Sequence, residues 1–188
     1  QLSVLSHVVE KNIELSNQIT KDFPEVQCLE SYDSLLDDEI DAVVIATPAQ
    51  SHIEIASKFL DAGKDVFIEK PMTLCSKEAE KLVSIAEENE SILMVGHMLM
   101  YQPAITSIKS FLEEGRIGKI YHIHQERLKL GRVRTAENVV WSLGVHDIAV
   151  LLYLVGSAPN KVDFSGHCGV QDEIEDDAYV HMSFENGT

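Results

Sequence analysis

A lysine follows directly on a short apolar run in Asp65-Val66-Phe67-Ile68-Glu69-Lys70-Pro71. In an open α/β sheet the carboxyl ends of the strands face the ligand, so an amine delivered there is a candidate proton donor or acceptor. Pro71 constrains the backbone of Lys70 and cannot extend the strand. By residue type alone the plainer reading of Lys70 is a solvated lysine at a strand exit, and its surroundings must decide. Upstream, Ile40-Asp41-Ala42-Val43-Val44-Ile45-Ala46-Thr47-Pro48 is a second apolar, β-branched run closed by proline. A helix-like stretch over 52–62 follows, and Gly63 stops it. The whole has the length of a right-handed parallel crossover, which sets Ala46-Thr47-Pro48 and Glu69-Lys70-Pro71 side by side along one sheet edge.

Two further groups carry chemistry. His146 titrates near neutrality and is a second acid/base candidate, although a lone histidine in an apolar helix is more often a satisfied core residue. Arg132 and Arg134 stand in a polar loop before Asn138. Guanidinium groups grip carboxylates and phosphates in a bidentate way; the alternative is a pair of ordinary solvated loop arginines. Lys129 is a weaker member of the same loop. Cys28, Cys75 and Cys168 are odd in number, widely spaced and without a CxxC pair, so neither a disulfide frame nor a metal site is expected.

The elements that must hold these residues change character midway. Over residues 1 to about 97, strand patterns at 4–9, at Ala42, at 66–68 and at 92–95 alternate with helical ones, as in a doubly wound parallel sheet. The stretch 13–22 has helical spacing and ends before Pro24, and Leu35-Leu36 suggests a short helical turn. Ser76 reads as the N-cap of a helix through Ala86 that turns Leu82, Val83 and Ile85 inward. The second half predicts a helix over 103–114 ended by Gly115, then an alternating strand from Ile120 to about Leu130. An apolar helix over 145–155 closed by Gly156 comes next, and strands at 162–166 and 178–184 flank an acidic turn at 172–177. The expected fold class is α/β: a Rossmann-like domain over 1–98, then an α+β domain over 99–188 with an open, mainly antiparallel sheet.

Bulk properties exclude several functions. With 188 residues, 45% hydrophobic and 24% charged, the chain can build one sizeable core or two small ones. A formal charge of −16 argues against nucleic acid and against anionic membrane, so an anionic ligand needs a local basic cluster. No apolar run approaches the roughly 20 residues of a transmembrane helix, and Gln1-Leu2-Ser3 lacks a signal layout, so a cytoplasmic location is expected.

Ala46-Thr47-Pro48 with His52, Glu69-Lys70-Pro71, Gly96-His97 through Tyr101 and Pro103, and Trp141-Ser142 with His146-Asp147 together resemble the Gfo/Idh/MocA oxidoreductases. The resemblance spans nearly the whole chain in the family's order and spacing. Within it, 96–104 and Asn138-Val139-Val140-Trp141-Ser142 look most like the nucleotide-sugar branch, which includes UDP-N-acetylglucosaminuronate 3-dehydrogenases.

This resemblance implies an NAD-dependent dehydrogenase, NADP not being excluded, that oxidises a sugar or nucleotide-sugar hydroxyl. Such a reaction needs a hydride acceptor, a base for the hydroxyl proton and fixed geometry between them. Lys70 resembles the family's catalytic lysine and His146 its histidine. Many members carry an aspartate four residues before that histidine; Ser142 stands there instead, leaving the proton to Lys70 and His146, with Asp147 orienting one of them. Thr47, Pro48 and neighbouring Ala46 are expected at the cofactor's ribose or pyrophosphate, with His52, Glu69 and Pro71 close by. Glu10, ending the first apolar run, favours NAD because a carboxylate accepts from free ribose hydroxyls and repels a 2′-phosphate; Lys11 beside it works the other way. His97, Tyr101, Asn138, Trp141 and Ser142 are expected around the substrate, with Arg132 and Arg134 on its anionic part.

Three expectations remain. A Gly-rich turn should lie about 20 residues before an acidic residue such as Glu10, and none is present, so the chain reads as an internal piece of a longer protein. Self-association into a dimer or tetramer is expected through the second domain's open sheet. Alternatives are a same-family dehydrogenase of a cyclitol or free sugar, and a non-catalytic dinucleotide-binding sensor or assembly protein.

Overall fold

The computed structural model describes residues 3–37, 40–128 and 137–188. Short parallel strands and helices alternate through the first half. β1 (His7–Val9) and β2 (Gln27–Leu29) pair in parallel across α1 (Ile13–Asp22). β3 (Ala42–Ile45), β4 (Asp65–Ile68) and β5 (Leu93–Val95) form a parallel sheet in that order, connected by α2 (His52–Asp61) and α3 (Ser76–Glu88). Among the described residues the two parallel groups are not hydrogen-bonded to each other.

Local chemistry sets the element ends. The Asn12 side chain accepts from the N–H groups of Glu14 and Leu15, satisfying donors that the first turn of α1 leaves open. Gly63, at φ 70°, ends α2 in the left-handed conformation that glycine adopts freely. Ile45 of β3 and Val66 and Ile68 of β4 pack against Ala56, Phe59 and Leu60 of α2 and against Leu82, Ile85 and Ala86 of α3, forming one buried cluster. Each fully buried large side chain contributes about 1.5–3 kcal/mol, so this cluster holds the sheet edge rigid.

Register then places the chemistry. Ile45 pairs with Ile68, and Ile68 with Val95. The ladder runs one residue further, with Glu69 N–H on the Ile45 carbonyl and Gly96 N–H on the Ile68 carbonyl, each at 2.9 Å. Thr47, Lys70 and His97 therefore each leave the sheet two residues beyond the last paired residue of three neighbouring strands.

The second half holds a 3₁₀ turn at Met98–Tyr101, α4 (Pro103–Glu113), a π turn at Val140–Gly144 and α5 (Val145–Val155). Gly156 ends α5 at φ 78°. β6 (Lys161–His167) and β7 (Asp177–Ser183) close an antiparallel hairpin. No helix among the described residues is long and apolar enough to cross a membrane.

Several expectations need correction. The strand expected from Ile120 does not form over 120–128, because no second strand among the described residues hydrogen-bonds to it; Leu130 lies outside the described residues. The first strand covers three residues rather than 4–9, its length being set by β2, a partner with no apolar run of its own to announce it. Ser76 is the first helical residue of α3, and the cap is Cys75, whose side chain makes no capping bond. The π turn ahead of α5 was not expected either.

Candidate active site

Lys70 is the centre of the cluster. Its Nζ donates a 2.8 Å hydrogen bond to the main-chain carbonyl of Ser142, inside the π turn. Such turns offset the helical ladder by one residue and recur where a helix meets a functional group. Ser142 is buried, and its hydroxyl points back to the Val139 carbonyl at 3.4 Å.

Two imidazoles flank this amine. Burial, and after it the Lys70 cation, lowers the proton affinity of His97 below the ordinary histidine value. His146 is lowered by burial first, then by Lys70, Arg127 and His97, with Asp147 alone opposing. Both Nδ1 atoms are buried and lack a hydrogen-bond partner among the described residues. Both influences favour the neutral form of each ring.

Asp147, expected to orient Lys70 or His146, is instead held by Arg127: Nε donates to Oδ2 at 2.6 Å and Nη2 to Oδ1 at 2.9 Å. Arg127 was not singled out from the sequence, because it lies in an alternating segment where a charged residue reads as the solvated face of a strand. Arg132, Arg134 and Lys129 lie outside the described residues.

The expected cofactor residues gather at the carboxyl ends of the parallel strands. Glu10 follows β1, and its Oε1 accepts from the Asn12 N–H at 2.8 Å. Ala46, Thr47 and Pro48 are exposed beyond β3. His52 is buried at 1% exposure and does not face that edge openly; Nδ1 lies 2.9 Å from the Pro71 carbonyl and Nε2 2.8 Å from the Thr47 carbonyl. It ties the two loops together. Glu69 accepts from the Lys70 N–H at 3.3 Å and lies close against Gly96, where an added Cβ would stand 3.3 Å from its Oε1. Glycine at 96 is what lets that carboxylate approach.

The remaining substrate candidates divide. Tyr101 is 64% exposed on its 3₁₀ turn. Asn138 and Trp141 line a cleft of about 220 Å³ together with Leu74, Glu173 and Glu175. Asn138 Nδ2 donates to Glu175 Oε2 at 3.0 Å, and Val139 N–H to the Glu175 carbonyl at 2.8 Å, so the β6–β7 connection is fastened to the start of the π turn. Glu175 is a second residue that sequence reading passed over, its acidic turn having no pattern to distinguish one carboxylate.

An edge of adjacent strand ends and a carboxylate after β1 are features that a dinucleotide would use. Comparison with known proteins agrees. The family model described as the GFO/IDH/MocA oxidoreductase family, NAD-binding Rossmann fold, matches residues 1–97, and that of the GFO/IDH/MocA C-terminal domain matches 105–188. UDP-N-acetylglucosamine 3-dehydrogenase of Acidithiobacillus ferrooxidans is 33% identical over 100% of this chain, which spans 58% of that protein. Its solved structure superposes with a TM-score of 0.86 at 32% identity, again over 100% of this chain and 58% of the other. The NAD⁺-dependent scyllo-inositol 2-dehydrogenase of Bacillus subtilis is 28% identical over 83% of the chain and 48% of its own length. The chain thus spans about half the length of the curated relatives it matches.

Proposed function

The chain belongs to the Gfo/Idh/MocA oxidoreductase family, and on that footing we propose that the full-length protein oxidises a hydroxyl of a nucleotide sugar with NAD. The observation that carries this reading is the amine of Lys70, fixed by the Ser142 carbonyl at the carboxyl edge of the sheet near the imidazoles of His97 and His146. NAD, when bound, accepts the hydride. The chain's own residues manage the proton. Lys70 holds the reacting hydroxyl and His146 takes its proton, a task open to an imidazole that burial and neighbouring cations bias toward its unprotonated form.

Glu10 would accept from the adenosine ribose, and Ala46, Thr47, Pro48, Glu69 and Pro71 would border the remainder, with His52 bracing them from behind. His97, Asn138, Trp141, Ser142 and Asp147 belong to the substrate side, and residues 1–98 and 99–188 to the two domains. A nucleotide sugar is favoured over a cyclitol by the relative that spans the whole chain. Self-association is supported by the hairpin face carrying Val162, Phe164 and Val180, all at least 40% exposed. Free Cys28, Cys75 and Cys168 support a reducing, cytoplasmic setting.

The test is Lys70→Ala in the full-length protein, assayed for NADH formation with UDP-N-acetylglucosamine and with scyllo-inositol. Turnover should vanish while NADH still binds. Persisting turnover removes Lys70 from the chemistry, and activity on inositol alone moves the substrate to the cyclitols.

A further inference from the structure

One carboxylate of the β6–β7 connection reaches the anchor of Lys70 through a short run of hydrogen bonds. Glu175 Oε2 accepts from Asn138 Nδ2 at 3.0 Å. At the other end of that amide, Oδ1 accepts from the Trp141 N–H at 3.2 Å, and the Asn138 carbonyl accepts from the Ser142 N–H at 3.0 Å. Ser142 in turn offers its own carbonyl to Lys70 Nζ at 2.8 Å. The Asn138 side chain thus satisfies one of the N–H groups that the start of a helix leaves open.

An amide can serve the turn in this way in one orientation only. Turned over, it would set its NH₂ group against the Trp141 N–H, donor against donor. An ionised carboxylate accepts and cannot donate, so Glu175 keeps Nδ2 toward itself and Oδ1 toward Trp141. Glu175 is itself held in place. Its carbonyl accepts from the Val139 N–H at 2.8 Å, and its side-chain stem crosses Gly166 of β6, where an added Cβ would stand 2.7 Å from its Cγ. The connection that carries it is closed by Asp176, whose N–H donates to the His167 carbonyl at 3.0 Å. The Asp176 carboxylate accepts from the N–H groups of Gly169 and Val170.

We infer that Glu175 is a positioning residue for Lys70: by orienting the Asn138 amide it sets the π turn, and with it the Ser142 carbonyl that fixes the amine. The inference rests on the reading of Lys70 as the group that holds the reacting hydroxyl. The competing account is a brace that fastens the β6–β7 connection to the start of the π turn and leaves the amine unaffected.

The two accounts differ in what Lys70 registers. Removing the Glu175 side chain frees the amide to turn, while the Val139 to Glu175 main-chain bond remains, so the hairpin stays attached. Glutamine at 175 still presents an acceptor oxygen to Nδ2 and should restore the arrangement. A brace alone would lower the melting temperature of E175A without altering the folded amine.

The experiment compares full-length wild type, E175A and E175Q, with folding checked by thermal melts. Acetylation of Lys70 by acetic anhydride is followed by mass spectrometry, the other lysines serving as internal controls. In E175A the released amine should react roughly threefold faster or more. With UDP-N-acetylglucosamine, kcat of E175A should fall roughly tenfold while NADH affinity holds, and E175Q should match wild type in both measurements. Unchanged Lys70 labelling in folded E175A, or a glutamine variant as impaired as the alanine one, overturns the inference. Faster labelling in E175A with kcat unaltered would uphold the arrangement and remove Lys70 from the chemistry.

Discussion

Lys70 and Ser142, 72 positions apart in the chain, meet through a side-chain amine and a main-chain carbonyl 2.8 Å apart. The partner of the amine is therefore a backbone group, whatever side chain residue 142 carries. The anchor therefore does not require the aspartate that the family resemblance led one to expect at this position.

Replacing Ser142 by alanine should keep the anchor. Among the described residues the hydroxyl makes one long hydrogen bond, to the Val139 carbonyl, so kcat should change by no more than about threefold and stability by less than about 1 kcal/mol. Steady-state kinetics and a denaturant melt check both. A hundredfold loss of kcat would mean that the hydroxyl itself contacts the reacting groups.

His52 should matter to stability before it matters to chemistry. It is buried and lies between the carbonyls of Thr47 and Pro71, so His52→Ala leaves a cavity and a carbonyl without its donor. A loss of about 2–4 kcal/mol in urea unfolding is expected, together with weaker NADH binding as the two loops come apart. Unaltered stability would show that the loops are held by other contacts.

Acid should destabilise the fold through His97 and His146. Both bind protons more weakly in the folded chain than in the unfolded one, so the unfolded state takes up more protons as the pH falls below the ordinary histidine value of about 6.5. Stability is then highest above that value and declines from it down to the lowered folded values. The double variant H97Q/H146Q should flatten the Tm profile between pH 7 and pH 5; an equally steep decline would assign it to other groups.

Glu10 should set the choice of dinucleotide. A carboxylate at the end of β1 accepts from ribose hydroxyls and repels a 2′-phosphate, so Glu10→Ser should shift the kcat/KM ratio toward NADP by roughly tenfold or more. An unchanged ratio would place the adenosine ribose elsewhere.

Much of the arrangement was legible in the chain because short-range rules govern it. Alternating apolar runs with Gly63 and Gly156 as stops located α2, β4 and α5 to within a residue or two, since helix ends and parallel crossovers are decided by neighbouring residues. The strand-to-loop exits put Thr47 and Lys70 on one edge for the same reason. The 120–128 segment misled because its alternation fits a strand, while a strand exists only where a partner supplies the ladder.

By itself, then, the sequence determined the residue types at the strand ends, the order of the elements from β3 to α3 and the family to which their motifs belong. Tertiary structure decided which groups meet. That the Ser142 carbonyl receives Lys70, that Arg127 grips Asp147, and that His52 braces two loops instead of facing the edge all depend on contacts between distant segments. Such contacts are set by packing and by the directions of individual donors and acceptors, quantities that no periodicity along the chain records.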